Sequence, residues 1–214
     1  MSRRKLALIL VGSTAVVLLA MIGVTLATGA SQELHEHYQP SAAYATHLLE
    51  HPGGLRLLMG LDVAFLVLYT AFFAALAHVL EGRPFVRLGL GAMIATAVLD
   101  IVEDHRILAS LGMAEAGRPI DDNTIAFQQV LSSTKFSLSY LGLVMFGLAI
   151  PRTTTLGIAL CLFLVMGTLA TGVLGFAAPP EWQQSLDGGR WLGFLGGFAL
   201  AALWLRSVPD DPRA

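Results

Sequence analysis

The sequence predicts an all-α protein, a polytopic membrane helical bundle of about six transmembrane helices with both termini on the cytoplasmic side. Hydrophobic residues make up 55% of the chain and charged residues only 13%, which is far outside the usage of soluble domains. The apolar residues are gathered in runs that meet or approach the ~20 residues needed to cross a bilayer. The prolines lie between or beyond these runs, where they remove no helical hydrogen bond.

We interpret the apolar runs as one transmembrane domain that comprises residues 1–214. The connection over 29–54 is the only long one, and we expect it outside the membrane. Its second half, 41–51, is predicted to form a short helix on the membrane surface, ended by Pro52. The predicted transmembrane helices cover residues 6–28, 55–80, 86–111, 125–150, 156–178 and 191–206.

The distribution of Lys and Arg predicts the orientation. With the N-terminus inside, eight loop cations would be cytoplasmic and four would be outside, which favours the N-in, C-in arrangement. We therefore expect a multi-pass protein of a bacterial-type plasma (inner) membrane, surrounded by membrane lipids.

The N-terminus also allows a different interpretation. The letters MSRRK, an apolar run and LATGAS could be the three regions of a cleaved signal peptide. The run of about 23 residues is long for that role, whose apolar region has about 7–15. We favour a retained helix, whereas cleavage would leave five.

Charge and cysteine content exclude several classes of function. The formal net charge of -2 provides no basic surplus for nucleic acid. The single cysteine, Cys161, rules out an intramolecular disulfide and a CxxC metal or redox pair. Glycines near the C-terminus suit close helix packing, and a homo-oligomer or partners in a membrane complex remain open.

Ionisable residues at similar depth form the main functional signal. Asp100, Glu103 and Asp104 are related by spacings of three and four, so they share one face of the third helix. Asp62 on the second helix and Lys135 on the fourth lie at a similar level, roughly 10–16 Å below the outer surface. Lipid cannot satisfy such groups, so we expect them to face one another. The candidate catalytic residues are Asp62, Asp100, Glu103, Asp104 and Lys135.

Neutral polar residues extend these faces. Gln128, Ser132 and Ser139 recur with Lys135 at spacings of three and four, and Tyr69 lies seven residues after Asp62. Both spacings keep side chains on one side of a helix. We predict that Tyr69, Gln128, Ser132 and Ser139 line a polar chamber.

The predicted chamber has a surplus of acids. Four carboxyl groups face Lys135 and the more peripheral Arg106, which leaves two acids to be neutralised in a low-dielectric interior. Protons, a divalent metal, another cationic ligand or a charged His105 could do this. The alternative is a structural role, in which the polar groups only hold the helices in register.

The outer loop carries four histidines, and a metal site is a weaker prediction there. His47 and His51 are four residues apart, a spacing that presents both rings on one helical face and that zinc or copper can use. A solvated surface is the favoured interpretation. If the loop folds onto the chamber, its histidines could complete a site with Asp62 or Asp100.

Three functions fit the sequence. The leading hypothesis is an enzyme that uses acid/base chemistry on a lipid-like or isoprenoid substrate from the outer leaflet. A structural or assembly subunit of a membrane complex is one alternative, and a proton- or cation-coupled transporter is another. Whether the protein is an enzyme at all stays open.

Overall fold

A computed structural model describes residues 1–179 and 182–208, and the regular elements in these ranges are all helical. This confirms the predicted all-α class. A 3-10 turn, Glu33–His35, lies between the first two α-helices, and a π-helical turn, Phe163–Gly167, joins the sixth to the seventh. The α-helices are α1 (Arg3–Thr28), α2 (Ser41–Glu50), α3 (Pro52–Val79), α4 (Val86–Glu115), α5 (Asp122–Ala149), α6 (Thr155–Leu162), α7 (Thr168–Ala177) and α8 (Gln183–Ser207).

Four helical stretches within the described residues are long and apolar enough to cross a membrane: Arg3–Thr28, Pro52–Val79, Thr155–Gly175 and Gly188–Ser207. Helices α4 and α5 are long enough but do not meet this criterion, because polar and charged residues interrupt their apolar sequence. A helical membrane protein is thus supported, while six spans and the orientation of the termini remain predictions.

In α4 and α5, polar side chains are buried and many apolar side chains are exposed. This is the reverse of a water-soluble surface, and it is the distribution expected when lipid surrounds a helix. The buried polar residues include Asp100, Glu103, Asp104, Gln128, Ser132 and Lys135. The exposed apolar residues include Val98, Ile101, Val102, Phe127 and Val130.

The chain divides into two units. The first consists of Met1–Ala15, Leu68–Ala95 and the residues from Phe136 onward, and the second of Val16–Val67 and Thr96–Lys135. The division falls within α1, α3, α4 and α5. A single transmembrane domain stays an expectation.

Aromatic rings and glycine contacts organise the first unit. Phe73 packs against Phe72 and Phe146, with ring centroids 5.1 and 5.0 Å away. A Cβ atom added at Gly142 of α5 would lie 2.5 Å from the Met93 sulfur of α4. These two helices therefore approach closely because residue 142 has no side chain.

In the second unit, the segment between α1 and α3 packs back onto the helices. The predicted short helix over 41–51 forms as α2, and its Tyr44 and Leu48 are buried. A Cβ atom added at Gly54 would lie 2.5 Å from Thr28 Oγ1. The start of α3 is therefore held against the end of α1, which fixes both ends of the segment 29–50.

Candidate functional site

Helix α4 supplies three acids to a buried polar group in the second unit. Asp100 is 9% exposed, Glu103 0% and Asp104 1%, as the three-and-four spacing predicted. Asp62 of α3 and Lys135 of α5 are buried beside them, at 5% and 4% exposure. The five candidate catalytic residues thus lie in one unit of the fold.

Lys135 contacts three carboxylates at once. Its Nζ donates to Asp100 Oδ1 at 2.8 Å, to Glu103 and to Glu36 Oε1 at 3.4 Å. These contacts join α5 to α4 and to the segment after α1. We call one group of six residues the carboxylate–lysine cluster: Glu36, Asp62, Asp100, Glu103, Asp104 and Lys135.

Glu103 receives hydrogen bonds on both of its carboxylate oxygens. Ser132 and Gln128 of α5 donate to Oε1, the latter at 3.3 Å, while Lys135 donates to Oε2. Ser132 and Gln128 are themselves buried, at 3% and 2% exposure. Donors from a single neighbouring helix therefore fix the Glu103 side chain.

Three aspartates form a second part of the cluster. Asp62, Asp100 and Asp104 each offer a carboxylate oxygen, and these oxygens lie within 4.8 Å of one another. Gln32 donates through Nε2 to Asp62 Oδ2 at 3.4 Å and to Asp104 Oδ1 at 3.3 Å. In the described part of the chain, Asp104 Oδ2 is buried and makes no hydrogen bond.

Two contributors to this site were absent from the predicted set. Gln32 and Glu36 flank the 3-10 turn Glu33–His35 and are 7% and 6% exposed. Their spacing of four residues is compatible with one helical face, but nothing else in the loop sequence separates them from neighbouring polar residues. The loop does fold onto the acids, and it contributes an amide and a carboxylate there.

Arg106 was expected to be a counter-charge for the acids, and the structure corrects this expectation. Its guanidinium donates to Gln128 Oε1 at 3.3 Å and to the Thr124 carbonyl at 3.1 Å, and it lies 4.6 Å from the centroid of the Phe127 ring. Among the described residues, Lys135 is therefore the cation that contacts these acids directly, through Glu36, Asp100 and Glu103; the cluster contains five buried carboxylates.

Two predicted lining residues lie in the first unit. Tyr69 and Ser139 are buried, at 4% and 6% exposure. The Tyr69 ring packs edge-on against Phe73, with 6.1 Å between centroids. Their role in lining the site stays a prediction.

His47 and His51 lie at a separate pocket in the second unit, which His35 and Glu50 also line. His47 Nδ1 lies 2.7 Å from Gln39 Oε1, so this nitrogen is the donor and Nε2 is the ring nitrogen that carries the lone pair. The converging metal-ligand group found among the described residues consists of aspartates instead. A metal role for His47 and His51 stays a prediction.

His35 and Tyr44 anchor the segment beside this pocket. Burial, with a smaller contribution from nearby His47, lowers the pKa of His35 to about 4, and Glu36 opposes the shift. The Tyr44 ring meets His35 edge-on at 5.4 Å, and burial raises the pKa of its hydroxyl to about 12. Both side chains are therefore neutral over the physiological range.

The arrangement suits two kinds of chemistry. Carboxylates that share one ammonium in a dry interior can store and transfer protons, and converging aspartate oxygens can bind a hard cation. No protein-family model, curated protein or solved structure matches this chain.

Proposed function

We propose that this protein crosses the membrane six times, with α4 and α5 as spans and both termini inside. The burial pattern supports this, because the charges of α4 and α5 face the protein while residues such as Val102 and Val130 face outward. Ionisable residues are tolerated at membrane depth when they are enclosed and paired. The location in a bacterial-type inner membrane rests on the loop cations alone.

The function we propose is acid/base catalysis on a lipid-like or isoprenoid substrate. One observation carries it: five buried carboxylates surround one ammonium, that of Lys135. A buried charge without a partner is costly, so the cluster has to hold protons or a cation. A carboxyl group that holds a proton in apolar surroundings is suited to act as a general acid.

We assign the proton transfer to Glu103, with Asp100 as the neighbouring carboxylate. Both contact Lys135 Nζ, so the ammonium links two carboxylates that differ in their other partners. Glu103 also accepts from Ser132 and Gln128, and these donors hold its carboxyl group in one position. In this scheme Glu103 gives and takes the proton, while Lys135, which Asp100 also contacts, is the positioning charge.

The segment between α1 and α2 covers the cluster, and we propose that the substrate enters on this side. Glu36 is the one described member of the cluster outside the long helices, and Gln32 of the same segment donates to Asp104. A substrate could reach the acids when this segment moves, and the apolar outer faces of α4 and α5 favour a substrate that is dissolved in the membrane.

The test compares the lipids of cells that produce wild type, Glu103→Gln or Asp100→Asn. The control is Asp122→Asn, which changes an exposed acid at the start of α5. Mass spectrometry should find a lipid that wild type and control deplete or form and that both site variants leave unchanged. Equal lipid profiles for all four folded proteins would contradict the enzyme.

The surplus of carboxylates also favours a second function, proton- or cation-coupled transport. Proteoliposomes containing a pH-sensitive dye would detect it as a flux that Glu103→Gln abolishes and Asp122→Asn retains. A structural subunit would show neither activity, would tolerate Glu103→Gln and would purify with stoichiometric partners.

A further inference from the structure

We propose that Asp62, Asp100 and Asp104 bind one hard divalent cation of the Mg²⁺ or Mn²⁺ class. Their carboxylate oxygens converge within 4.8 Å. An octahedral ion with bonds of about 2.0–2.1 Å holds its ligand oxygens roughly 3–4 Å apart. Small side-chain adjustments would therefore bring the three carboxylates onto one ion.

A second observation comes from the hydrogen bonds of Asp104. Its side chain is 1% exposed, and within the described residues Oδ2 has no hydrogen-bond donor. A buried carboxylate oxygen without a hydrogen-bond donor is unfavourable, since each oxygen of an ionised carboxylate needs a donor or a cation. A cation at the aspartate group would satisfy this oxygen directly.

Gln32 offers a fourth oxygen. Its amide lies between the carboxylates of Asp62 and Asp104, to which its nitrogen donates. Oxygen and nitrogen of an amide exchange places by a half turn of the side chain. With an ion bound, Gln32 would present Oε1 to it, and oxygen is the ligand that hard cations prefer.

The choice of metal follows from the ligands. Three carboxylates and an amide carbonyl contain no sulfur or imidazole, which zinc and copper favour. Asp100 can serve both parts of the cluster, because a carboxylate has two oxygens: Oδ1 accepts from Lys135, and Oδ2 would bind the metal. The ion would neutralise the aspartate side of the cluster and leave Glu103 with Lys135.

Binding of Mn²⁺ to the purified, chelator-treated protein provides the test, read by electron paramagnetic resonance. We expect one saturable site per chain, displaced by Mg²⁺ and weakened at least about tenfold in Asp62→Asn and Asp104→Asn. Asp122→Asn is the matched control and should bind as wild type does. Absence of saturable binding to folded wild type, or unchanged binding in both site variants, would overturn the proposal.

A second measurement covers the case in which the variants do not fold. Mn²⁺ should raise the melting temperature of wild type, and a chelator should reverse the rise; an unchanged melting temperature would count against the site. The proposal deepens the proposed function but can fail separately. Glu103→Gln should lose lipid chemistry and keep Mn²⁺, whereas loss of Mn²⁺ binding alone would leave the acid/base assignment standing.

Discussion

Glu36 and Lys135 are 99 residues apart in the chain, yet Lys135 Nζ lies 3.4 Å from Glu36 Oε1. The contact joins the segment after α1 to the middle of α5, with both side chains buried. Because Lys135 also pairs with Asp100 and Glu103, a single ammonium connects the segment after α1 to α4.

Lys135→Met should destabilise the protein strongly. The substitution leaves buried carboxylates without their cation, and breaking a buried ion pair from one side typically costs about 3–5 kcal/mol. The melting temperature in detergent measures the effect, and Lys5→Met is the control because Lys5 is exposed. Adding Glu103→Gln to Lys135→Met should restore part of the loss; an unchanged melting temperature for Lys135→Met would show that the lysine is not the partner of these acids.

Glu36→Gln should loosen the segment before α2 without melting the long helices. It removes the charge through which the segment binds Lys135, while Asp100 and Glu103 keep their contacts with the ammonium. Hydrogen exchange should become faster over residues 29–40 and stay unchanged in α4 and α5. Glu50→Gln, on an exposed residue of α2, is the control, and equal exchange in both variants would argue against the role of Glu36.

His35 should make the protein less stable in acid. Its pKa is about 4 in the fold against a usual value of 6.5, so the unfolded chain binds the proton first as the pH falls. The free energy of unfolding contributed by neutral His35 is fully present above pH 6.5. It is lost progressively as the pH falls from about 6.5 to 4, by about 3 kcal/mol at most.

Melting curves across this pH window test the assignment. In His35→Gln the decline between pH 6.5 and 4 should be shallower than in wild type, whereas His105→Gln, on an exposed side chain of α4, should follow wild type. Parallel curves for wild type and His35→Gln would assign the acid sensitivity to other groups.

The exposed ion pair of Arg56 and Glu115 should contribute much less to stability than the buried cluster does. Their side chains are 50% and 36% exposed, and solvent-exposed ion pairs contribute little to stability. Glu115→Gln should shift the melting temperature by less than about 2 °C. A shift as large as that of Lys135→Met would mean that this pair holds α3 to α4.

Periodicity explains what the sequence could predict. Asp100, Glu103 and Asp104 share a face because helix geometry requires it, and the buried stripe of Gln128, Ser132 and Lys135 follows from the same spacing. The all-α class follows from apolar runs of bilayer length.

The rest of the site depends on tertiary contacts that no local pattern encodes. Gln32 and Glu36 lie in a loop with no repeating face, so only the path of the chain brings them to the acids. From the sequence, Arg106 could face either the acids or the start of α5. Its contacts with Thr124 and Phe127 place it against α5.

If α4 spans the membrane as proposed, its charges should also affect how the protein enters the membrane during synthesis. Asp100 leaves the ribosome 35 residues before Lys135, a delay of roughly 2–7 s at about 5–20 residues per second. A lone charge at the centre of a helix opposes insertion by about 2.5–3.5 kcal/mol. We therefore expect α4 to wait at the translocon and to enter with α5 as a helical hairpin. A chain truncated before α5 should leave α4 outside the bilayer in glycosylation mapping, and insertion of that truncated chain would show that α4 needs no partner.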